Sequence, residues 1–170
     1  MKPMNRRESL IAGVAGVTAV ASLAPKASAA APKSENPELE AIRAVFKAHD
    51  DALTNHDLKG ILATVTPNAV VMGSGPGEVW SGTEEIKVAY RHFFEGFDKG
   101  HQVFSYNFRF GGISSEMGWL GVSGEINGTK DGKPVAFPIN ISVTMAKSGG
   151  AWRIALLHFS TLTDADGGKA

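Results

Sequence analysis

The residue best placed to do chemistry is His49, which falls within an otherwise apolar helical stripe. At about 100° per residue, Leu39, Ile42, Phe46, His49 and Leu53 lie along one side of a helix. A neutral imidazole in such a setting could donate to a carbonyl or act as a base, with Asp50 or Tyr90 fixing its tautomer. The plainer reading is a hydrogen-bonded core histidine. Glu78 and Trp80 follow a glycine run, Gly73-Ser74-Gly75-Pro76-Gly77. An acidic side chain beside a Trp could line the mouth of a cavity, although a surface turn is the simpler account. The run is no phosphate cradle, because a strand rather than a helix N-terminus follows it. His158 and Ser160 share a strand face without an acid to complete a triad, so they read as strand-end or subunit contacts rather than nucleophilic machinery. No pair of histidines has zincin spacing, and a metal site is not expected. The ladder Phe104, Tyr106, Phe108 and Phe110 reads as core or dimer packing that could also wall a lipophilic ligand.

These groups need elements to hold them. Asn36 as cap, Pro37 at the first helical position and Glu38 and Glu40 in the first turn predict a helix over 37–54. A short helix over 57–65 should bury Leu58, Ile61, Leu62 and Val65 and stop at Pro67. A brief strand over 69–72, the glycine reversal and Glu78-Val79-Trp80 then lead into a third helix beginning at Gly82. Its apolar side is Ile86, Ala89, Tyr90, Phe93 and Phe97. Strands are expected over 101–112 and 118–127, with a turn over 128–132. A closing hairpin follows, in which Val135, Phe137, Ile139, Ile141, Val143 and Met145 alternate with smaller or polar residues before the turn Lys147-Ser148-Gly149-Gly150. The last strand carries Trp152, Ile154, Leu156, His158 and Ser160 on one face and Arg153, Ala155, Leu157 and Phe159 on the other. Two largely apolar faces call for helices on one side and a partner subunit on the other. Helices followed by antiparallel strands define an α+β layout.

With 170 residues, one compact domain is the expectation. Residues 1–29 have a basic start, an interrupted apolar stretch over 10–24 and a small-residue site at Ala27-Ser28-Ala29, the pattern of an export signal too short to span a bilayer. Asn5-Arg6-Arg7-Glu8-Ser9-Leu10 is similar to a twin-arginine signal. The divisions that follow are a signal peptide over 1–29, a flexible arm over 30–36, the domain over 37–163 and a disordered tail over 164–170. Export to the periplasm or medium, with no membrane anchor after cleavage, is the corresponding expectation. Formal charge is zero, but losing the leader removes four of 17 basic and one of 17 acidic residues, leaving an acidic excess of three. That disfavours nucleic acid. The absence of cysteine excludes disulfides and thiolate chemistry.

The order of these elements resembles the cone-shaped fold of nuclear transport factor 2-like domains, and within them the SnoaL-like group. The residues that carry it are His56-Asp57-Leu58, the stretch from Val71 to Gly82, Gly118-Trp119, and Trp152-Arg153-Ile154 running into His158-Phe159-Ser160. The resemblance implies three N-terminal helices packed on a curved antiparallel sheet, a conical apolar cavity and pairing of two subunits through the outer sheet face. It implies a small, mostly apolar ligand met by His49, Tyr90, Asn140, Trp80 and Phe104, without a cofactor. It equally accommodates a cofactor-free isomerase, cyclase or dehydratase using His49, or a non-catalytic assembly module. Against ketosteroid isomerases, His49 stands at the donor Tyr position, Gly73 at the general base and Asn140, after Pro138-Ile139, at the protonated Asp. Asn140 enters only through this alignment, since strand alternation sets it opposite Ile139 and Ile141. Lacking the base, the chain is expected to have no ketosteroid isomerase activity.

Overall fold

The computed structural model describes residues 36–161, all within one compact unit. The expected signal peptide and the tail over 164–170 lie outside the described residues, as does the arm apart from Asn36. In chain order the elements are α1 (Pro37–Thr54), α2 (Leu58–Thr64), β1 (Val65–Met72), β2 (Val79–Ser81), α3 (Gly82–Glu95), β3 (Val103–Ile113), β4 (Met117–Lys130), β5 (Lys133–Ser148) and β6 (Ala151–Thr161). The architecture is α+β: three helices packed on one curved sheet of order β2-β1-β6-β5-β4-β3. All neighbours are antiparallel except β1 and β6, which run parallel.

Local chemistry accounts for most boundaries. Asn36 accepts from the Glu38 amide at 3.0 Å and opens α1 where expected. Asp57 caps α2 by accepting from the Gly60 amide at 3.0 Å. Val65 is already extended, so α2 ends before it and β1 is longer than expected, running through Pro67. The residue before a proline is driven out of helical geometry, and the missing proline N–H falls where β1 and β6 lose register, between Val65 and Val70. Likewise β4 continues past the expected turn to Lys130, which pairs with Lys133 across Asp131 (φ 52°) and Gly132 (φ 73°). Asp98 fastens that turn, accepting from the amides of Asp131 at 3.0 Å and Gly132 at 2.9 Å. The closing hairpin turns at Gly149 and Gly150, both left-handed, as a two-residue turn requires.

Two bulges redirect side chains. An extra residue at Asn107 separates Tyr106, opposite Gly124, from Phe108, opposite Ser123. The expected single-face ladder is therefore split: Phe104 and Tyr106 face the helical side, whereas Phe108 and Phe110 face outward. A second bulge at Ala155 lets Ile154 pair with Met145 while Leu156 pairs with Thr144. The expected grouping of Trp152 and Ile154 with Leu156, His158 and Ser160 fails there; beyond the bulge Leu157 and Phe159 turn to the core instead. The principal core joins Ile42, Ile61, Ile86 and Tyr90 from the helices to Met145, Trp152, Ile154 and Leu157 from the sheet. A second cluster, Phe97, Ile126 and Ile139, closes the other end with Phe93, Phe104 and Phe137.

Candidate functional site

The site grows from α3 and the β1–β2 connection. α3 presents Ala89, Tyr90 and Phe93 to the sheet, where Phe137, Ile139 and Phe159 stand opposite. The glycine run closes tightly, the Gly73 amide donating to the Glu78 carbonyl at 2.8 Å and the Glu78 amide to the Gly75 carbonyl at 3.2 Å. The Glu78 carboxylate folds back over this turn, and its Oε2 accepts from the Gly75 amide at 2.8 Å. A Cβ at Gly73 would collide with that same Oε2, and one at Gly75 would lie 2.9 Å from Glu78 Cδ. The glycines thus provide the room in which a carboxylate is seated. Between α3, the loop and the sheet lies a cavity of about 400 Å³, with Trp80, Tyr90, Phe93, Phe137, Ile139 and Phe159 as its apolar wall and Ser74, Glu78, His92 and Thr161 as polar groups.

Behind Tyr90 is the histidine. His49 Nε2 lies 2.8 Å from the Tyr90 hydroxyl, with the rings edge-on and their centroids 5.6 Å apart. His49 is 4% and Tyr90 3% exposed. Burial lowers the imidazole pKa to about 4, so the ring is neutral at pH 7, and burial raises the Tyr90 phenol. A neutral imidazole and a phenol bring two donors to their single mutual bond. One donor therefore remains, either His49 Nδ1–H or Tyr90 O–H; Nδ1 has no hydrogen-bond partner among the described residues. When His49 donates, the phenol proton is left for another acceptor, on a residue that lines the cavity. Asp50, next on the helix, has its carboxyl raised to about 6 by desolvation and by Asp51, although its side chain still reaches solvent.

Of the residues singled out in the sequence, Tyr90 and Trp80 line the cavity. His49 backs Tyr90 without lining the cavity, a wall that α1 does not share. Phe104 packs in the second cluster, its ring covering Gly124. Asn140 differs from expectation. No bulge occurs beside it, so it is exposed on the outer face opposite Ser123 and Ser160, while Ile139 and Ile141 point inward. Phe93, Phe137, Phe159 and the seating of Glu78 were not singled out as cavity features; the glycines before Glu78 were the available signal. A larger, shallower groove of about 540 Å³ runs along α1, α2 and the start of β6. Small and polar side chains dominate its walls, with Asp51 paired to Lys47 and Arg153 donating to the Ala63 carbonyl. Among the described residues no group of three or more His, Asp or Glu converges as a metal site, and no helix is long and apolar enough to cross a membrane.

Three helices packed on a curved, mostly antiparallel six-stranded sheet place the fold in the nuclear transport factor 2-like class. A protein of that class from Pseudomonas putida KT2440, of unknown function, superposes with a TM-score of 0.63 at 17% identity, covering 77% of this chain and 91% of that one. A ketosteroid isomerase-like protein from Erwinia carotovora atroseptica gives 0.58 at 25% identity, covering 75% and 98%. Aln2 from a Streptomyces species gives 0.62 at 16% identity, covering 74% and 92%. No curated protein matches the sequence significantly. Within the class, the chain belongs to the SnoaL-like domain family, whose model matches residues 42–164.

Proposed function

We propose that this is an exported SnoaL-like protein that binds a small, mostly apolar molecule in the cavity under α3. The observation that carries this reading is the cavity itself, about 400 Å³ and lined by Trp80, Tyr90, Phe93, Phe137 and Phe159. Such a volume and lining suit a compact lipophilic ligand. Trp80 and Tyr90 contact it, and His49 acts through Tyr90 as a positioning residue. Native mass spectrometry of protein drawn from its producing cells tests the reading. A small-molecule adduct retained under gentle ionisation and absent from an Ala89→Phe variant, whose ring would fill the cavity, is expected. A bare protein, or an undiminished adduct in the variant, contradicts it.

Export rests on residues 1–29, and Arg6→Lys with Arg7→Lys should strand the precursor in the cytoplasm if the twin-arginine route is used. A homodimer through the outer sheet face is favoured by a separate observation. Val103, Phe108, Phe110, Met117 and Trp119 all project from that face and are more than half exposed. Large exposed apolar patches of this kind mark association surfaces. Phe110→Asp should shift sedimentation from dimer to monomer; a wild-type monomer contradicts the assignment.

A further inference from the structure

The bond between His49 and Tyr90 leaves one donor over, and the place of that donor narrows the chemistry of the cavity's occupant. Among the described residues the Tyr90 hydroxyl and His49 Nε2 are each other's only hydrogen-bond partners, at 2.8 Å, while His49 Nδ1 is buried with none. The pair has two ways to share its protons. With the imidazole proton on Nδ1, the phenol donates to Nε2 and the spare donor is an N–H sealed in the core. With that proton on Nε2, the imidazole donates to the phenol oxygen, Nδ1 is a bare acceptor, and the spare donor is the Tyr90 O–H. As on the backbone, a buried N–H without an acceptor is rarer than a buried acceptor without a donor, so the second arrangement is favoured. It also sets the spare donor on Tyr90, the member of the pair that lines the cavity, where an incoming molecule can accept from it.

Electrostatics select the kind of acceptor. Burial and the charge of Asp50 both disfavour the phenolate, so the hydroxyl stays a neutral donor. The same dry, negatively biased surroundings penalise a carboxylate placed against it. We propose that the ligand carries a neutral carbonyl oxygen that accepts a hydrogen bond from Tyr90, with His49 as the positioning residue whose Nε2–H fixes the direction of the phenol proton. A carbonyl on an apolar skeleton suits both the aromatic wall and the single donor. A pure hydrocarbon displaces any water on the hydroxyl and leaves the donor unbonded. This inference rests on the binding reading above and refines it.

Three probes of one skeleton separate the cases: 1-acetylnaphthalene, 1-ethylnaphthalene and 1-naphthoate, titrated calorimetrically into the full chain at neutral pH. The ketone is expected to bind about tenfold more tightly than the hydrocarbon, the scale of one hydrogen bond to an otherwise unbonded donor, with the carboxylate weakest. Infrared difference spectra should show the C=O stretch of the bound ketone at lower frequency than in an apolar solvent. Tyr90→Phe keeps the ring and removes the donor. It should bring the ketone down to the hydrocarbon's affinity, leave the hydrocarbon within about twofold and abolish the infrared shift. The ¹⁵N spectrum of His49 in the wild type gives a check that needs no variant: the proton is expected on Nε2, and a proton on Nδ1 overturns the assignment. Equal affinities of ketone and hydrocarbon in the wild type, an unshifted C=O stretch, or a ketone preference that survives Tyr90→Phe also overturn it and leave the cavity reading standing. Failure of all three probes overturns both.

Discussion

The two sides of Tyr90 hold ionisable groups under opposite conditions. On the α1 side, His49 is sealed in the core, made neutral by burial and bonded to the phenol. On the cavity side, Glu78 is held by backbone at the edge of an aromatic pocket. The contrast separates two tasks usually confounded at a site. A sealed polar group specifies packing and exacts a stability cost when altered, whereas a group seated at a cavity wall can be altered at small cost to the fold and large consequence for what enters.

The largest effect expected on this view is on stability. His49→Ala leaves the buried Tyr90 hydroxyl unpartnered and opens space in the core, and should cost about 3 kcal/mol in urea unfolding. Glu78→Gln should stay within about 0.5 kcal/mol of wild type, the scale of substitutions outside the core. Comparable losses in both variants would break the comparison.

Acid should act through the same histidine. In the unfolded chain the imidazole takes up a proton below about pH 6.5, but in the folded chain only near pH 4. The unfolded state therefore binds more protons in that window, and stability falls as pH drops through it, by up to about 3 kcal/mol. Asp50 works in the opposite sense, because its folded pKa near 6 lies above the ordinary value of 3.8 and adds stability as pH falls from 6. Its solvent access screens that contribution, so His49 sets the net sign. Unfolding midpoints at pH 7 and pH 4.5 in His49→Gln should lose the wild-type decline and expose the weak reverse slope of Asp50.

Gly73→Ala sharpens the cavity side, since the added methyl collides with Glu78 Oε2. The carboxylate is the far end of a half-exposed side chain and can swing aside, so the variant should lose only about 1 kcal/mol while the cavity wall beside Trp80 is rearranged. Asp57→Ala, remote from the cavity, should cost about 1 kcal/mol as a lost helix cap and leave ligand binding in the cavity intact.

Features encoded within a few residues could be read directly from the chain. Asn36-Pro37 capped α1, Gly149-Gly150 turned the hairpin, and the alternation from Val135 to Met145 marked the face of β5 that meets the helices. Its partner β4 keeps register with it from Met117 to Lys130, so nothing interrupts that pattern. The bulges at Asn107 and Ala155 were not legible, because an extra residue is defined only against the neighbouring strand, and one such residue reverses every side chain after it. The same physics removed Asn140 from the interior: an aligned Pro-Ile pair could not override strand parity. Tyr90 was one of two candidates, with Asp50, for the partner of His49, and it is Tyr90 whose hydroxyl lies within hydrogen-bond distance of the imidazole. That Tyr90 lines the cavity while His49 lies behind it depends on how α1 and α3 pack, which periodicity does not encode. Glu78 was noticed for its neighbour Trp80, but its seating depends on the fold-back of a loop over two glycines.

The three tryptophans report from three places: Trp80 on the cavity wall, Trp119 on the exposed outer face and Trp152 in the core beneath α1. Labelling them with 5-fluorotryptophan and recording ¹⁹F spectra while titrating 2-(1-naphthyl)ethanol tests the central claim, a ligand cavity under α3, most directly. Saturable movement of the Trp80 resonance, with Trp119 and Trp152 stationary, is the predicted result. A stationary Trp80, or a shift confined to Trp119, would contradict it.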